Sequence, residues 1–217
     1  MIEVSNLSQS YGKKLVLDDV SISIGSNEIC ALVGRNGAGK STFIHSLLGL
    51  LPVSKGEIRI NGKRRKKGAW KNEISYLPEK FMLYPSLTGM ENMIFFASAV
   101  GKSIDEPRIE RLLTSVRLWE DRAVSVKGYS KGMLQRLGLA ITLYQDSNIL
   151  ILDEPTSGID PMGRKEILEV LKSLTNKTIL LSSHHLDEIN QVCTHVAYLD
   201  SLKMQKFTVA EFSEFSG

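Results

Sequence analysis

Gly34-Arg-Asn-Gly-Ala-Gly-Lys40-Ser41-Thr42 satisfies the phosphate-loop pattern G-x-x-x-x-G-K-[ST] at every position. The bare pattern would arise by chance in roughly one chain in a hundred of this length, so its surroundings decide. Ile29-Cys30-Ala31-Leu32-Val33 precede it as an apolar run suited to a buried strand. Phe43, Ile44, Leu47, Leu48 and Leu51 follow at helical spacing. Strand, loop and helix in that order are what the motif requires. Gly37 and Gly39 let backbone N–H groups turn inward around an anion, and the helix start beyond them adds partial positive charge. Gly34, Asn36, Gly37, Ala38, Gly39, Lys40, Ser41 and Thr42 therefore form a candidate nucleotide cradle. Lys40 is expected to reach the β- and γ-phosphates, and the Ser41 hydroxyl to ligate Mg²⁺.

Binding is not hydrolysis, which needs a metal ligand and a base. Ile149-Leu150-Ile151-Leu152-Asp153-Glu154 ends an apolar run in two carboxylates. Ligand sites of parallel α/β sheets lie at the carboxyl ends of strands, so Asp153 is expected beside Ser41, holding the metal directly or through water. Glu154 is then placed to polarise a water in line with the γ-phosphate.

Away from these two segments the chain reads as alternating strand and helix. Ile2–Val4, Val20–Ile24, Ile29–Val33, Glu57–Ile60 and Ile74–Leu77 are the early strand candidates. Thr88-Gly-Met-Glu91 has the form of a capping box, opening a helix with Met90, Met93, Ile94 and Ala97 on one face. Helices are also expected over Arg108 to Leu118 and Leu134 to Tyr144. Asn148–Leu152, Thr178–Leu181 and Val196–Leu199 then alternate with helices Arg164–Leu174 and Leu186–Val192. This order predicts a mainly parallel sheet with helices on both sides. A smaller helical lobe is expected over about 85–144, inserted into a core lobe of about 1–84 and 145–217, all within one domain.

Composition narrows the setting. The 217 residues are 42% hydrophobic and 24% charged, ordinary for a soluble globular protein. The longest apolar stretches fall far short of the ~18–20 residues needed to cross a bilayer, and Met1-Ile2-Glu3-Val4 reads as a strand, so a cytoplasmic location is expected. Cys30 and Cys193 have no metal-type neighbours and read as reduced core residues. A net charge of +3 is too small to indicate a nucleic-acid binder. The basic run Lys63-Arg64-Arg65-Lys66-Lys67, with Lys71, reads first as a solvated loop; anionic lipid or nucleic acid are the alternatives.

Five ordered segments make the chain resemble the ATP-binding subunits of ABC transporters: Gly34–Thr42, Tyr129-Ser-Lys-Gly-Met-Leu-Gln-Arg136, Leu152-Asp-Glu-Pro-Thr156, Ser157-Gly-Ile-Asp160 and Ser182-Ser-His184. The likeness runs from Tyr11 to beyond His184. With Tyr76-Leu-Pro-Glu79 and Leu87-Thr-Gly-Met-Glu-Asn92 it is greatest to the subfamily serving type-two exporters of antibiotics, peptides and drugs.

The resemblance implies the ABC ATPase fold, an α/β phosphate-loop core with an antiparallel β subdomain and an inserted helical subdomain. It implies ATP and Mg²⁺ as cofactors, with a membrane permease and a second ATP-binding subunit as partners. No nucleic acid is expected, and the chain would sit on the inner face of the membrane through the permease. Tyr11 takes the position that stacks on adenine, although a tyrosine in a turn can be purely structural. Ser130 and Gly132 take the signature position that completes ATP on the facing subunit. Asp160 becomes a residue speaking across the dimer, and His184 the switch histidine that contacts the γ-phosphate. Ser130 and Asp160 read equally as plain helix caps. His185 reads as the first residue of the next helix.

Two positions depart from the family pattern. Glu79 stands where many members have glutamine, keeping an oxygen for Mg²⁺ but losing a hydrogen-bond donor. Lys131-Gly132-Met133 replaces the commoner Gly-Gly-Gln, and Lys131 would add positive charge. Phe81, Met82, Leu83 and Tyr84 are the candidate groove for a permease helix, or packing beneath the helical lobe. The rival function class is a soluble ABC ATPase acting on nucleic acid or ribosomes, for which only the Lys63–Lys67 run speaks. A non-hydrolysing binder fits poorly with Lys40, Asp153, Glu154 and His184 together.

Overall fold

In the chain's computed structural model, residues 1–65, 73–101 and 103–216 are described. In chain order the elements are β1 (Ile2–Tyr11), β2 (Lys14–Ile24), β3 (Ile29–Val33), α1 (Lys40–Leu48), β4 (Lys55–Ile60), β5 (Lys63–Arg64) and β6 (Ile74–Leu77). Next come α2 (Gly89–Ser98), α3 (Glu106–Ser115), α4 (Lys131–Tyr144), β7 (Ile149–Asp153), α5 (Pro161–Ser173) and β8 (Thr178–Ser182). The last are α6 (Leu186–Val192), β9 (His195–Asp200), β10 (Lys203–Thr208) and α7 (Val209–Ser216).

Among the described residues the strands form two sheets, one antiparallel in the order β2-β1-β4-β5 and one of six strands, β10-β9-β3-β8-β7-β6. Every pairing in the second is parallel except β10 on β9. Its inner strands are apolar at successive positions because both faces are covered. Ile149 and Ile151 enter the core shared with α1 and the antiparallel sheet, while Leu150 and Leu152 enter the core under α4 and α5. Each such fully buried side chain contributes about 1.5–3 kcal/mol relative to exposure. Helices α2, α3 and α4 lie between β6 and β7 in sequence and share that second core with the sheet. Ion pairs tie this group to α5: Arg136 Nη1 lies 3.2 Å from Glu166 Oε2, and Arg117, just past α3, lies 3.1 Å from Glu166 Oε1 and 2.8 Å from Glu169 Oε2.

The capping box at Thr88 forms in full. Thr88 Oγ1 accepts from Glu91 N at 3.2 Å, and Glu91 Oε2 accepts from Thr88 N at 2.7 Å. Thr88→Ala should therefore lower the unfolding free energy by about 1 kcal/mol, measured by denaturant titration.

Several elements differ from the sequence reading. β1 and β2 form a long hairpin rather than short strands, and Tyr11 closes β1 opposite Lys14 rather than sitting in the turn. The alternation that would have marked this hairpin is broken by register shifts, where Asn6 (φ 51°) and Asp19 (φ 56°) are left-handed and joined by a 2.9 Å hydrogen bond. α3 starts at Glu106, capped by Asp105, and ends at Ser115 before left-handed Arg117, so it does not reach Leu118. α4 begins at Lys131, a turn earlier than expected. His185 precedes α6 as its cap residue instead of opening it. β10 and α7 extend the fold past the last expected strand.

The basic run is not uniformly solvated. Lys63 and Arg64 are exposed on β5, but Arg65 turns inward against Gly49 at the end of α1. Lys66, Lys67 and Lys71 lie outside the described residues. Burial pushes both thiols, Cys30 and Cys193, up to about 12. Among the described residues, no helix is long and apolar enough to cross a membrane.

Candidate nucleotide site

α1 starts without a side-chain cap. Gly39 occupies the cap position at φ 113°, a left-handed value, and a Cβ there would stand 2.8 Å from Val16 Cγ1. The first-turn N–H groups of α1 thus keep no side-chain partner and point to where an anion can sit. Gly34 holds the other end of the loop: a Cβ on it would stand 2.5 Å from Leu199 O, so the loop lies directly on β9. Lys40 Nζ donates to Gly34 O at 2.8 Å, drawing the two ends together.

Above this loop opens a cleft of about 550 Å³. Tyr11, Asn36, Gly37, Gly39, Lys40, Ser41, Thr42, Glu79, Asp153, Glu154 and His184 all line it, and so do Lys14, Val16 and Ser157, to which the sequence reading gave no role. Gly34 and Ala38 support the loop from behind, and Ser130, Gly132 and Asp160 are not among the lining residues.

The acidic strand tip is held by one hydroxyl. Ser182 Oγ donates to Asp153 Oδ1 at 2.7 Å and accepts from Glu154 N at 2.8 Å. β7 and β8 run in parallel register with Asp153 beside Ser182, which places that hydroxyl. Asp153 is 8% exposed. Glu154 has a left-handed backbone (φ 47°), which turns its side chain off the strand direction and into the cleft. Its Oε2 lies 3.0 Å from His184 Nδ1, with the histidine side chain 57% exposed and the glutamate 15%. The imidazole lies over His185, ring centroids 4.1 Å apart. Tyr76 sits beneath; burial, with the Asp153 and Glu79 carboxylates nearby, pushes its phenol up to about 12.

Among the described residues no cluster of three or more His, Cys, Asp or Glu could hold a metal by itself. The hard oxygens of Ser41 and Asp153 face the cleft, and Glu79 lines it as well. They suit a cation that takes one or two protein ligands and completes its shell with phosphate and water, as Mg²⁺ does.

Ser130 and Asp160 are both helix caps. Ser130 Oγ accepts from Met133 N at 3.2 Å, and Asp160 Oδ1 accepts from Met162 N and Gly163 N at 3.0 Å each. The hydrogen bond from Gly163 N leads in holding the Asp160 carboxyl below the usual range. Lys131 reaches back from the start of α4 to contact Gly158, so the two loops meet within one chain. Phe81 and Leu83 pack on the core under the helices, whereas Met82 is 82% exposed, and Tyr84 forms an edge contact with exposed Phe95 at 4.5 Å. Packing beneath the helices thus accounts for Phe81 and Leu83, and Met82 and Tyr84 are left exposed.

A phosphate loop on a parallel sheet, facing an acidic strand tip with a glutamate–histidine pair, defines a nucleoside-triphosphate hydrolase of the phosphate-loop class. The chain belongs to the ABC transporter family, whose model matches residues 17–157, and it is an ATP-binding, ATP-hydrolysing cassette. Similar proteins include the linearmycin resistance ATP-binding protein LnrL of Bacillus subtilis (strain 168), 34% identical over an aligned length of 210, covering 94% of this chain and 68% of that protein. The lantibiotic transport ATP-binding protein SrtF of Streptococcus pyogenes is 36% identical over 92% of this chain and 86% of its own. A solved ATP-binding subunit of an ABC transporter superposes with a TM-score of 0.85 at 32% identity, covering 100% of this chain and 93% of that one.

Proposed function

We propose that two ATP-binding subunits, two copies of this chain or one with a paralogue, close head-to-tail over two Mg²⁺-bound ATP molecules and drive a separate membrane permease. The reading rests on one observation: Glu154 and His184, paired at 3.0 Å, face Lys40 and Ser41 across a single cleft. In it, Tyr11 stacks on the base and the α1 N–H groups with Lys40 hold the phosphates. Ser41 and Asp153, with Glu79 nearby, would hold Mg²⁺, which would supply charge neutralisation at the phosphates. Glu154 takes a proton from the attacking water, and His184 orients that carboxylate and the γ-phosphate.

The facing subunit supplies Ser130 and Gly132. Their position on α4, outside the lining of their own cleft, supports a site completed in trans. Glu79 lies at the cleft edge, and Met82, Tyr84 and Phe95 lie exposed beyond it, a surface suited to a permease segment. Closing over ATP moves that surface, and product release reopens it. Peripheral attachment to the inner face of the membrane follows from the permease. Relatives named for linearmycin resistance, lantibiotic transport and bacitracin transport support export of an antibiotic, peptide or lipid-like substrate.

Ser130→Ala tests the shared site. Loss of one aligned donor should slow hydrolysis by about 10²-fold while ATP affinity of the separate subunit stays at the wild-type value. Loss of that affinity would place Ser130 in its own chain's site and sink the head-to-tail arrangement. The permease is identified by what copurifies with the tagged chain from membranes; ribosomes or DNA in its place, released by salt, would favour the rival class.

A further inference from the structure

Behind the cleft lies a carboxylate that the reading above does not use. Glu188, on α6, is 2% exposed. Its Oε2 accepts from Thr156 Oγ1 at 2.7 Å and from Ser183 Oγ at 3.0 Å. Its Oε1 faces Arg164 Nε at 3.1 Å, and neither of those two atoms has a hydrogen-bond partner among the described residues. Ser183 Oγ in turn accepts from His185 N at 3.1 Å.

Each contact ends on a segment that carries a site residue. Thr156, 1% exposed, is two residues past Glu154, and its neighbour Ser157 lines the cleft. Ser183, also 1% exposed, and His185 flank His184 on both sides. Arg164 lies in the first turn of α5, which Asp160 caps. The exposed imidazole of His184 thus stands on a buried footing, and the loop carrying Glu154 stands on the same one. A buried carboxylate is tolerated only where it is paired and hydrogen-bonded. Here the pairing gathers three chain segments onto one group. The Arg164 contact is a charge contact without hydrogen-bond alignment, so it restrains the distance of α5 more than its direction.

We infer that Glu188 is a positioning residue of the hydrolytic site: it sets the spacing of Glu154 and His184 and joins their loops to the start of α5. This rests on the roles given to Glu154 and His184 above. Glu188 touches no cleft atom and lines no part of the cleft. Its loss acts on the geometry of hydrolysis and leaves nucleotide binding alone, because the phosphate loop and Tyr11 lie on other elements.

The test uses the full chain, with Glu188→Gln, His184→Ala and the double variant, in steady-state and single-turnover ATP hydrolysis. Small displacements of a catalytic pair are costly, so Glu188→Gln should lower kcat by about 10- to 100-fold with KM and ATP affinity within about twofold of wild type. Because Glu188 acts through the loops of both Glu154 and His184, the loss in the double variant should be smaller than the product of the two single losses. A merely structural role predicts lower stability with unchanged kcat per folded molecule, or losses that multiply in the double variant; either result overturns the inference. Should Glu188→Gln not fold, Thr156→Val removes one hydrogen bond to Glu188 and Ser183→Ala removes another, together with the bond from His185 N. Each should lower kcat by roughly three- to tenfold; unchanged kcat in both overturns it equally. Failure here is separable from failure of the site itself. If Glu154→Gln is inactive while Glu188→Gln is normal, only this inference falls, whereas an active Glu154→Gln removes its premise.

Discussion

Glu154→Gln is expected to bind ATP as the wild type does and to lose about 10²–10⁴-fold in turnover, the range for removal of a general base. The substitution is isosteric, and the structure explains why it leaves the surroundings alone. The backbone of residue 154 is fixed by Ser182 Oγ through its N–H, a bond that the side chain does not share. Asp153 keeps its own 2.7 Å bond to the same hydroxyl. A glutamine oxygen can still accept from His184 Nδ1 where the carboxylate does at 3.0 Å, but it cannot take a proton from water. Binding and closure then proceed while reopening does not, so ATP and Mg²⁺ should convert the variant to a stable dimer. Light scattering with and without ATP reads that change, and radiolabelled phosphate release reads turnover. Turnover within about threefold of wild type would remove Glu154 from the role of base.

The phosphate loop and the acidic strand tip were legible in the sequence because each is local. A loop motif and an apolar run ending in two carboxylates both carry their meaning within ten residues. Ser182 was quoted only as part of a motif, since its role depends on β7 and β8 lying side by side in register. Lys14 and Val16 escaped for a related reason. They reach the cleft only because the β1–β2 hairpin returns past Tyr11, and the left-handed Asn6 and Asp19 break the alternation that would have drawn that hairpin. Glu188 carried no signal. A glutamate in a polar helix start looks solvated until Thr156, Ser183 and Arg164 are seen to close over it. Local chemistry was readable, and the long-range pairing that positions it was not.

Lys40→Ala is expected to abolish measurable ATP binding. Among the described residues two lysines line the cleft, Lys14 and Lys40, and they differ in kind. Lys14 is the exposed first residue of β2 and lines the cleft from the hairpin. Lys40 is the first residue of α1, inside the loop, where uncapped helix N–H groups and its own charge converge on the same volume. Its ammonium also bonds Gly34 O at 2.8 Å, so the substitution loosens the cradle as well as removing a charge. The comparison with Lys14→Ala separates two explanations. If the cleft merely gathers anions by charge, the two variants should weaken ATP equally, and both losses should fade with salt. If the loop is a built phosphate site, Lys14→Ala should cost little and Lys40→Ala nearly everything. Thermal melting gives an independent readout, because ligand at 100 times its Kd stabilises a protein by about 2.7 kcal/mol. The wild type should show that ATP-dependent rise and Lys40→Ala should show none, while both melt cooperatively without nucleotide. Tight binding by Lys40→Ala would mean that the phosphates lie elsewhere, and Glu154 would then have no γ-phosphate to face.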